Sequence, residues 1–273
     1  MARLVWPRSG ESDLRREITR DRKGSMTVDR VRADRLLVEG GHFESRARAQ
    51  AAIEAGLVTA DDRPVTRASD RLDPRARIVA SAPHPFVSRG GLKLQAALVA
   101  FGFDPAGLVC LDVGASTGGF TDVLLKAGAG HVYAVDVGRD QLHASLRGDP
   151  RVTSLEGRDV RGLDTAAIPR APSLVAIDVS FIALRLVLPA IVPLMAPGAA
   201  LAALIKPQFE AGRDRVGRGG IVRDEAVHQA VCEEVTNLVA DLGLSVLGLI
   251  SSPVAGGDGN REFLIGARST VRP

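Results

Sequence analysis

The chain has 273 residues, of which 45% are hydrophobic and 25% charged, and its formal net charge is +3. These values are typical of a globular protein with enough length for one large domain or for a large and a small one. Aromatic residues are only 4% of the chain, which argues against a surface that stacks many unpaired bases.

Neither a membrane span nor a secretory signal is predicted. The longest apolar stretch, over residues 183–204, is interrupted by one arginine and three prolines, and the N-terminus lacks an apolar core followed by a cleavage site. Cys110 and Cys232 have no metal-ligand spacing and are interpreted as buried thiols. The sequence therefore predicts a cytoplasmic protein in a reducing compartment, with no membrane contact and no metal.

The first 28 residues alternate basic and acidic side chains without a hydrophobic period. Such a segment buries too little apolar surface to fold by itself, so a disordered extension is predicted over residues 1–28. Met26 is an alternative translation start, and the role of the segment is left open.

A compact α+β module is predicted over residues 29–82. The pattern predicts a helix over residues 31–38, which ends at Gly40 and Gly41 because glycine suits the C-terminal position of a helix. Ser45 can cap a second helix, and short strands follow it.

Three short stretches of this module, Arg35-Leu36-Leu37, Ser45-Arg46 and Ile53-x-x-Gly56-Leu57-Val58, resemble the RNA-binding domain named after ribosomal protein S-four. The resemblance implies that two paired helices present basic side chains to structured RNA. The candidate RNA-binding residues are Arg35, Arg46 and Arg48. The alternative is a solvated charged face on a small scaffold, because these arginines are interleaved with acids.

Residues 83–92 are rich in proline and glycine and are interpreted as a linker, and residues 93–268 as a second domain. Apolar strands alternate with helices there, which is typical of a parallel sheet with helices on both faces. Helices are predicted to start near Gly91, Gly118, Asp178 and Asp224. Strands are predicted over residues 108–112, 131–136, 151–155, 173–178, 199–205, 245–251 and 262–267. The turn between the last two strands has hairpin length, so the last strand is predicted to be antiparallel.

The first strand of this domain leads into a turn of small residues, Asp112-Val113-Gly114-Ala115-Ser116-Thr117-Gly118-Gly119-Phe120. A strand, a glycine-rich loop and a helix start indicate a nucleotide site, because glycine lets the backbone approach a ligand. Ser116 stands where a dinucleotide site has a glycine, and no lysine follows the glycines as in a triphosphate loop. Asp112 would repel a phosphate but suits a cationic ligand. S-adenosylmethionine is therefore the predicted cofactor.

Further acids lie at predicted strand ends, where open α/β sheets bind their ligands. Asp136 ends the second strand and can accept hydrogen bonds from ribose hydroxyls, and Asp159 follows the third and could accept from an adenine amino group. Alternatively, each acid caps a helix or pairs with an arginine. The candidate cofactor-binding residues are Asp112, Gly114, Ser116, Gly118, Gly119, Phe120, Asp136 and Asp159.

Lys206 closes an apolar strand, where a buried amine is costly unless it has partners. Asp178 ends the neighbouring strand, Lys93 lies near the start of the domain, and Glu262 opens the last strand. This order, Lys-Asp-Lys-Glu, resembles ribose 2′-O-methyltransferases related to FtsJ. The flanking stretches resemble the TlyA family: Ser88-Arg89-Gly90-Gly91-x-Lys93, Asp178-Val179-Ser180-Phe181-Ile182 and Lys206-Pro207-Gln208-Phe209-Glu210.

The resemblance covers residues 30–268 and implies an α/β fold, in which a small RNA-binding domain precedes a Rossmann-like, seven-stranded methyltransferase sheet. It implies S-adenosylmethionine-dependent methylation of a ribose 2′-hydroxyl in ribosomal RNA of the ribosomal subunits, at cytidine. The implied catalytic residues are Lys93, Asp178, Lys206 and Glu262.

We assign hypothetical roles to these four residues. Lys206 would act as the base or orient the hydroxyl, and Asp178 and Glu262 would hold it. Lys93 would position the ribose or an adjacent phosphate. Alternatively, the four residues form a buried ion-pair network that stabilises the fold and has no catalytic role. The identity of the nucleotide, the ribosomal subunit and the oligomeric state are left open.

Other functions compete with this one. A nicotinamide dehydrogenase would need a glycine at Ser116. A catalytically inactive RNA-binding factor for ribosome assembly predicts no cofactor binding, although the loop and the four catalytic candidates are intact. A haemolysin, a name given to some relatives, ranks low because the sequence shows no membrane segment.

Overall fold

The structure, a computed structural model, describes residues 29–82, 84–256 and 259–270. The predicted extension over residues 1–28 lies outside the described residues. The chain divides into two compact units, one ending at Pro85 and one beginning at Phe86. Much of the segment predicted as a linker thus belongs to the second unit, whose first helix already begins at Gly90.

The described residues of the first unit, 29–82 and 84–85, form two helices and five short strands. The helices are α1 (Ala33–Glu39) and α2 (Arg46–Glu54), and the strands are β1 (Val31–Arg32), β2 (Val58–Ala60), β3 (Arg63–Pro64), β4 (Arg71–Leu72) and β5 (Ile78–Ala80). Strand β2 pairs with β3 and β5, and β1 pairs with β4. The first helix begins later than predicted because β1 precedes it. Ser45 caps α2 as predicted, since its hydroxyl accepts from the backbone N–H of Arg48.

An apolar core holds this unit together. Leu37 on α1, Ala49, Ala52 and Ile53 on α2, and Val58 on β2 are buried in it. The two helices therefore bury one face each, and their charged side chains remain on the outside except for Asp34 on α1, which is buried.

Seven strands form one sheet in the second unit. They are β6 (Val109–Val113), β7 (His131–Asp136), β8 (Val152–Glu156), β9 (Leu174–Ile177), β10 (Ala200–Ile205), β11 (Leu244–Ser251) and β12 (Phe263–Ser269). Their spatial order is β11-β12-β10-β9-β6-β7-β8. Strand β12 is antiparallel to both of its neighbours, and the pairs from β10 to β8 are parallel. The predicted seven-stranded sheet with an antiparallel last strand is confirmed.

The helices of this unit are α3 (Gly90–Phe101), α4 (Gly119–Lys126), α5 (Ala144–Arg147), α6 (Leu184–Ile191), α7 (Pro207–Glu210) and α8 (Glu225–Asp241). The prediction of a helix start near Asp178 is wrong, because α6 begins at Leu184. The chain first makes a turn in which Phe181 adopts a φ of +64°. Glu210 then accepts the backbone N–H of Leu184 at 2.8 Å and satisfies the start of α6.

Apolar layers cover both faces of the sheet. Leu188 on α6 and Val235 on α8 belong to one layer, and Leu94 on α3 and Leu124 on α4 belong to the other. Successive strand residues point to opposite layers, as the pleat of a strand requires.

Of the two cysteines, Cys110 is buried and Cys232 only partly so, and the prediction of two buried thiols is correct for the first alone. Across the part of the chain that the structure describes, no helix is long and apolar enough to cross a membrane. Within those same residues, no three His, Cys, Asp or Glu side chains are grouped so that they could hold a metal ion.

The strand order reverses between β6 and β9, which are neighbours although three strands apart in number. Chain connections leave this point in opposite directions and open a crevice at the carboxyl ends of the strands. In open α/β sheets such a crevice is where ligands bind.

Candidate active site

A cavity of about 1110 Å³ lies at the carboxyl ends of β6, β7 and β9. Its walls include five residues that the sequence analysis singled out, namely Gly114, Ser116, Asp136, Asp159 and Asp178. The cavity therefore coincides with the crevice that the strand order creates.

At Gly114 the backbone of the loop after β6 lies very close to the backbone of the turn after β9. The φ of Gly114 is +84°, and a Cβ added to it would lie 2.3 Å from the carbonyl oxygen of Asp178. The loop after β6 thus packs directly against the turn after β9. Only glycine fits here, both for its conformation and for this contact.

Replacing Gly114 by alanine is expected to destabilise the protein more than a glycine replacement elsewhere. Left-handed backbone costs about 1–2 kcal/mol for a residue with a Cβ, and overpacking against the carbonyl adds about 1–3 kcal/mol. Gly102→Ala is the matched control, because Gly102 has a φ of +64° and open space around it. Urea unfolding of both variants measures the difference. Equal losses would mean that the contact with Asp178 contributes nothing.

Asp136 is held by the backbone of two loops. Its Oδ2 accepts from the N–H of Ser116 and its Oδ1 from the N–H of Gly138, each at 2.7 Å. Ser116 itself has a φ of +47°, which is uncommon for a residue with a Cβ. A carboxylate oxygen has two lone pairs, so each oxygen keeps one for a ligand in the cavity.

Asp159 also lines the cavity, but an arginine holds it. Arg161 donates from its side chain to both carboxylate oxygens of Asp159 and from its backbone N–H to Oδ1. These bonds lower the pKa of Asp159 to about 2. The alternative that an acid at a strand end caps a helix and pairs with an arginine is thus correct for this residue, and its contact with an adenine amino group stays a prediction.

Three further cofactor candidates have packing roles. A Cβ on Gly118 would lie 2.2 Å from Leu146 Cδ1, and a Cβ on Gly119 would lie 2.2 Å from Ser88 Oγ. Phe120 is buried in the apolar layer formed by α3 and α4. Close packing therefore explains both glycines, and contact of these residues with a cofactor stays a prediction.

Asp112 is fully buried behind the loop instead of lining the cavity. Its Oδ2 accepts from the hydroxyl of Thr121 at 2.6 Å, and its Oδ1 has no hydrogen-bond partner within the described residues. Burial raises the pKa of Asp112 to about 7 despite the Thr121 hydroxyl, and the carboxylates of Asp178 and Asp136 add to the rise. Contact of Asp112 with a cationic ligand stays a prediction.

Asparagine at position 112 is expected to reduce the pH dependence of stability. Because the pKa of Asp112 is higher in the folded protein than in the unfolded chain, the folded state binds more protons between about pH 4 and 7. The contribution of Asp112 to the free energy of unfolding is therefore greatest below pH 4 and is lost as the pH rises to 7. The Tm of Asp112→Asn minus that of wild type should increase over this range and level off above it. A constant difference would contradict the raised pKa.

The four catalytic candidates form two ion pairs. Lys206 Nζ lies 2.6 Å from Asp178 Oδ1, and Lys93 Nζ lies 2.6 Å from Glu262 Oε2. Lys93, Lys206 and Glu262 are each less than 9% exposed. Continuation of the β10–β12 register, in which Ile205 is opposite Phe263, places Lys206 opposite Glu262. The two pairs thus lie side by side at the edge of the sheet.

This pairing differs from the expected one. We expected both Asp178 and Glu262 to hold Lys206, but Glu262 holds Lys93. Lys206 has Ser180 as its second partner instead, with 2.8 Å between Nζ and Oγ. Ser180 was not among the predicted site residues, although it lies two residues after Asp178 in a stretch that carries the family resemblance.

The candidate RNA-binding arginines all have acidic partners. Arg35 Nε lies 2.6 Å from Glu39, and Arg48 lies 3.7 Å from Glu44. Arg46 donates through Nε and Nη2 to the buried carboxylate of Asp34 and leaves its Nη1 for other contacts. The interleaved acids thus fix these side chains on α1 and α2 and neutralise part of their charge.

A mixed seven-stranded sheet, with a glycine loop and strand-end acids around a cavity, is the architecture of a Rossmann-like methyltransferase. The FtsJ-like methyltransferase family matches residues 86–269, and the S4 domain family matches residues 31–78. Both compact units are thereby accounted for.

The chain belongs to the TlyA family, as its sequence suggested. It is 43% identical over 244 residues to the 16S/23S rRNA (cytidine-2′-O)-methyltransferase TlyA of Mycobacterium tuberculosis, covering 88% of this chain and 90% of the relative. It is 38% identical over 235 residues to Hemolysin A of Brachyspira hyodysenteriae, covering 86% and 98%. The solved structure of a hemolysin-named protein from Streptococcus thermophilus shares 42% identity with a TM-score of 0.71, covering 90% and 91%.

Proposed function

We propose that this protein transfers a methyl group from S-adenosylmethionine to a ribose 2′-hydroxyl of cytidine in ribosomal RNA. The observation that carries the proposal is the position of the Lys206–Asp178 pair, which lies at the edge of the cavity lined by Gly114 and Asp136. A proton-accepting or hydroxyl-orienting amine and a nucleoside site are thereby adjacent.

The residues around the cavity suit S-adenosylmethionine. Asp136 keeps acceptor positions for ribose hydroxyls, and Gly114 lets the loop approach a ligand without a Cβ. Val137 and Val160 supply apolar wall, as a purine ring requires. When bound, the cofactor supplies an electrophilic methyl on a sulfonium.

The reaction asks little of the protein beyond alignment and removal of one proton. When bound, S-adenosylmethionine would supply the methyl group to the 2′-oxygen and leave as a neutral thioether. Lys206 Nζ, in its neutral form, would receive the proton of the 2′-hydroxyl. Positive charge disperses in this step, so no oxyanion hole is needed. Holding the hydroxyl in line contributes about 7–11 kcal/mol in well-oriented systems.

The S4 domain and the names of the relatives support ribosomal RNA as the substrate. Arg35, Arg46 and Arg48 lie on the two helices of that domain and would contact phosphates. Their acidic partners preorganise the guanidinium groups, and Arg46 still has Nη1 for a phosphate oxygen. The reducing cytoplasm, where ribosomes are assembled, is the proposed location.

Phe181 is expected to stack on a base of the RNA. Its ring is 90% exposed, lines the cavity and lies 5.0 Å from the ring of Phe209. Stacking on an aromatic side chain contributes about 1–3 kcal/mol per base, so Phe181→Ala should lower kcat/KM for RNA by about tenfold or more. Phe181→Tyr should retain activity. Val99→Ala removes an apolar side chain that is 80% exposed elsewhere and is the control. Full activity of Phe181→Ala would exclude stacking.

Methyl transfer to isolated ribosomal subunits tests the proposed function. Purified protein is incubated with labelled S-adenosylmethionine and with small or large subunits, and the modified position is mapped by reverse transcription at low nucleotide concentration. We expect label at a cytidine 2′-oxygen in one or both subunits. RNA binding without transfer would favour a ribosome-assembly factor. Leakage of liposomes without transfer would favour the haemolysin name instead.

A further inference from the structure

The amine of Lys206 is held from the cavity side by a hydroxyl. Ser180 Oγ lies 2.8 Å from Lys206 Nζ, while Asp178 Oδ1 lies 2.6 Å from the same nitrogen. Lys206 is buried, whereas Ser180 is exposed and lines the cavity. The hydroxyl thus connects a buried amine to the wall of the cavity.

One hydrogen bond is enough to orient an amine nitrogen on a fixed side chain. Its four tetrahedral positions include the bond to Cε, and Lys has no acceptor other than the lone pair of its neutral form. Ser180 Oγ accepts from one of the remaining three positions, whereas Asp178 Oδ1 lies at ion-pair distance without the geometry of a hydrogen bond. The bond to Ser180 therefore fixes rotation about the Cε–Nζ bond and with it the directions of the other two positions.

The backbone of the turn after β9 brings both partners to the amine. Asp178 N–H donates to the carbonyl of Val113 at 2.9 Å, and the Asp178 carbonyl abuts Gly114. Phe181 follows with a φ of +64°, a conformation that costs free energy for a residue with a Cβ. This strained turn brings Asp178 and Ser180 to one nitrogen.

We propose that Ser180 is a positioning residue: its hydrogen bond sets the directions of the open positions of Lys206 Nζ, one of which faces the 2′-hydroxyl of the target nucleotide. This inference rests on the proposed function, because it places Ser180 in the step in which Lys206 receives the hydroxyl proton. Ser180 itself forms no covalent bond and transfers no group in this step.

Steady-state kinetics of Ser180→Ala test the inference. The loss of one hydrogen bond to the amine is expected to lower kcat by about 10- to 100-fold. The KM for ribosomal subunits and the Kd for S-adenosylmethionine should stay within twofold of wild type. The unfolding midpoint should be unchanged because Ser180 is exposed. Ser180→Thr keeps the hydroxyl and should restore kcat to within about threefold. Ser154→Ala, an exposed serine on β8, is the matched control.

Several results would overturn the inference. One is a kcat of Ser180→Ala within twofold of wild type. Another is a loss of kcat that neither Ser180→Thr nor Ser180→Cys recovers. A rise in the Kd for S-adenosylmethionine that accounts for the whole loss would assign Ser180 to cofactor binding. The wild type is assayed first. Absence of transfer by wild type overturns the proposed function and this inference with it, whereas transfer that survives in Ser180→Ala overturns the inference alone.

Discussion

Replacing Lys206 by methionine is expected to lower kcat for methyl transfer by about 100- to 10,000-fold, the range measured for loss of a general base. Methionine is similar in length to lysine and fills the same buried position, so the sheet should stay folded. Asp178 loses its partner but retains some contact with solvent, since its side chain is 19% exposed. Binding of S-adenosylmethionine, measured by calorimetry, should persist.

Two control variants make this result specific. Lys206→Arg keeps a positive charge, but a guanidinium cannot accept a proton at neutral pH. If it is as inactive as Lys206→Met, the amine acts as a base; if it is active, the charge alone orients the hydroxyl. Lys126→Met removes an amine that is 49% exposed on α4 and should change kcat less than twofold. Near-wild-type transfer by a folded Lys206→Met protein would refute the assignment of Lys206.

Breaking the Lys93–Glu262 pair is expected to have the largest effect on stability. Both side chains are less than 10% exposed, so removal of either leaves an uncompensated charge in the interior. Such a loss costs about 3–5 kcal/mol, and we expect it for both Lys93→Met and Glu262→Gln. Urea unfolding followed through Tyr133 measures it, because the chain's one tyrosine is buried in β7.

The double variant separates a catalytic role from a structural one. Lys93→Met combined with Glu262→Gln leaves no unpaired charge, so it should recover much of the stability, with a coupling of about 0.5–3 kcal/mol. If the pair only stabilises the fold, activity should return together with stability. If Lys93 or Glu262 acts in the reaction, the double variant will be stable and inactive. Additive losses of stability would show that the pair is not coupled.

The sequence identified the sheet and the location of the site because both depend on simple patterns. Apolar runs of five to seven residues reproduce the strands, with differences of one or two residues at their ends. In a parallel sheet every strand end faces the same edge, so Asp136, Asp178 and Lys206 could be placed together before the fold was known.

The choice of partners could not be obtained in this way. Which carboxylate holds which lysine depends on side-chain reach. Glu262 pairs with Lys93 instead of Lys206 because α3, which carries Lys93, lies beside β12. Ser180 gives no signal in the sequence, since serine is common in turns. A glycine in the sequence is also ambiguous, because it can be required either for ligand approach or for close packing. Gly118 looks like a ligand-approach residue but is needed for packing against Leu146.

The interior position of β12 determines how late in synthesis the sheet can be completed. Of the seven strands, β12 is the last to leave the ribosome during synthesis, yet it pairs on both sides, with β10 and with β11. Until it is inserted, the flanking strands have unpaired edges, and Glu262 is absent from the side of Lys93. In a newly made chain, the predicted set of Lys93, Asp178, Lys206 and Glu262 is therefore complete only after β12 has been inserted between its neighbours.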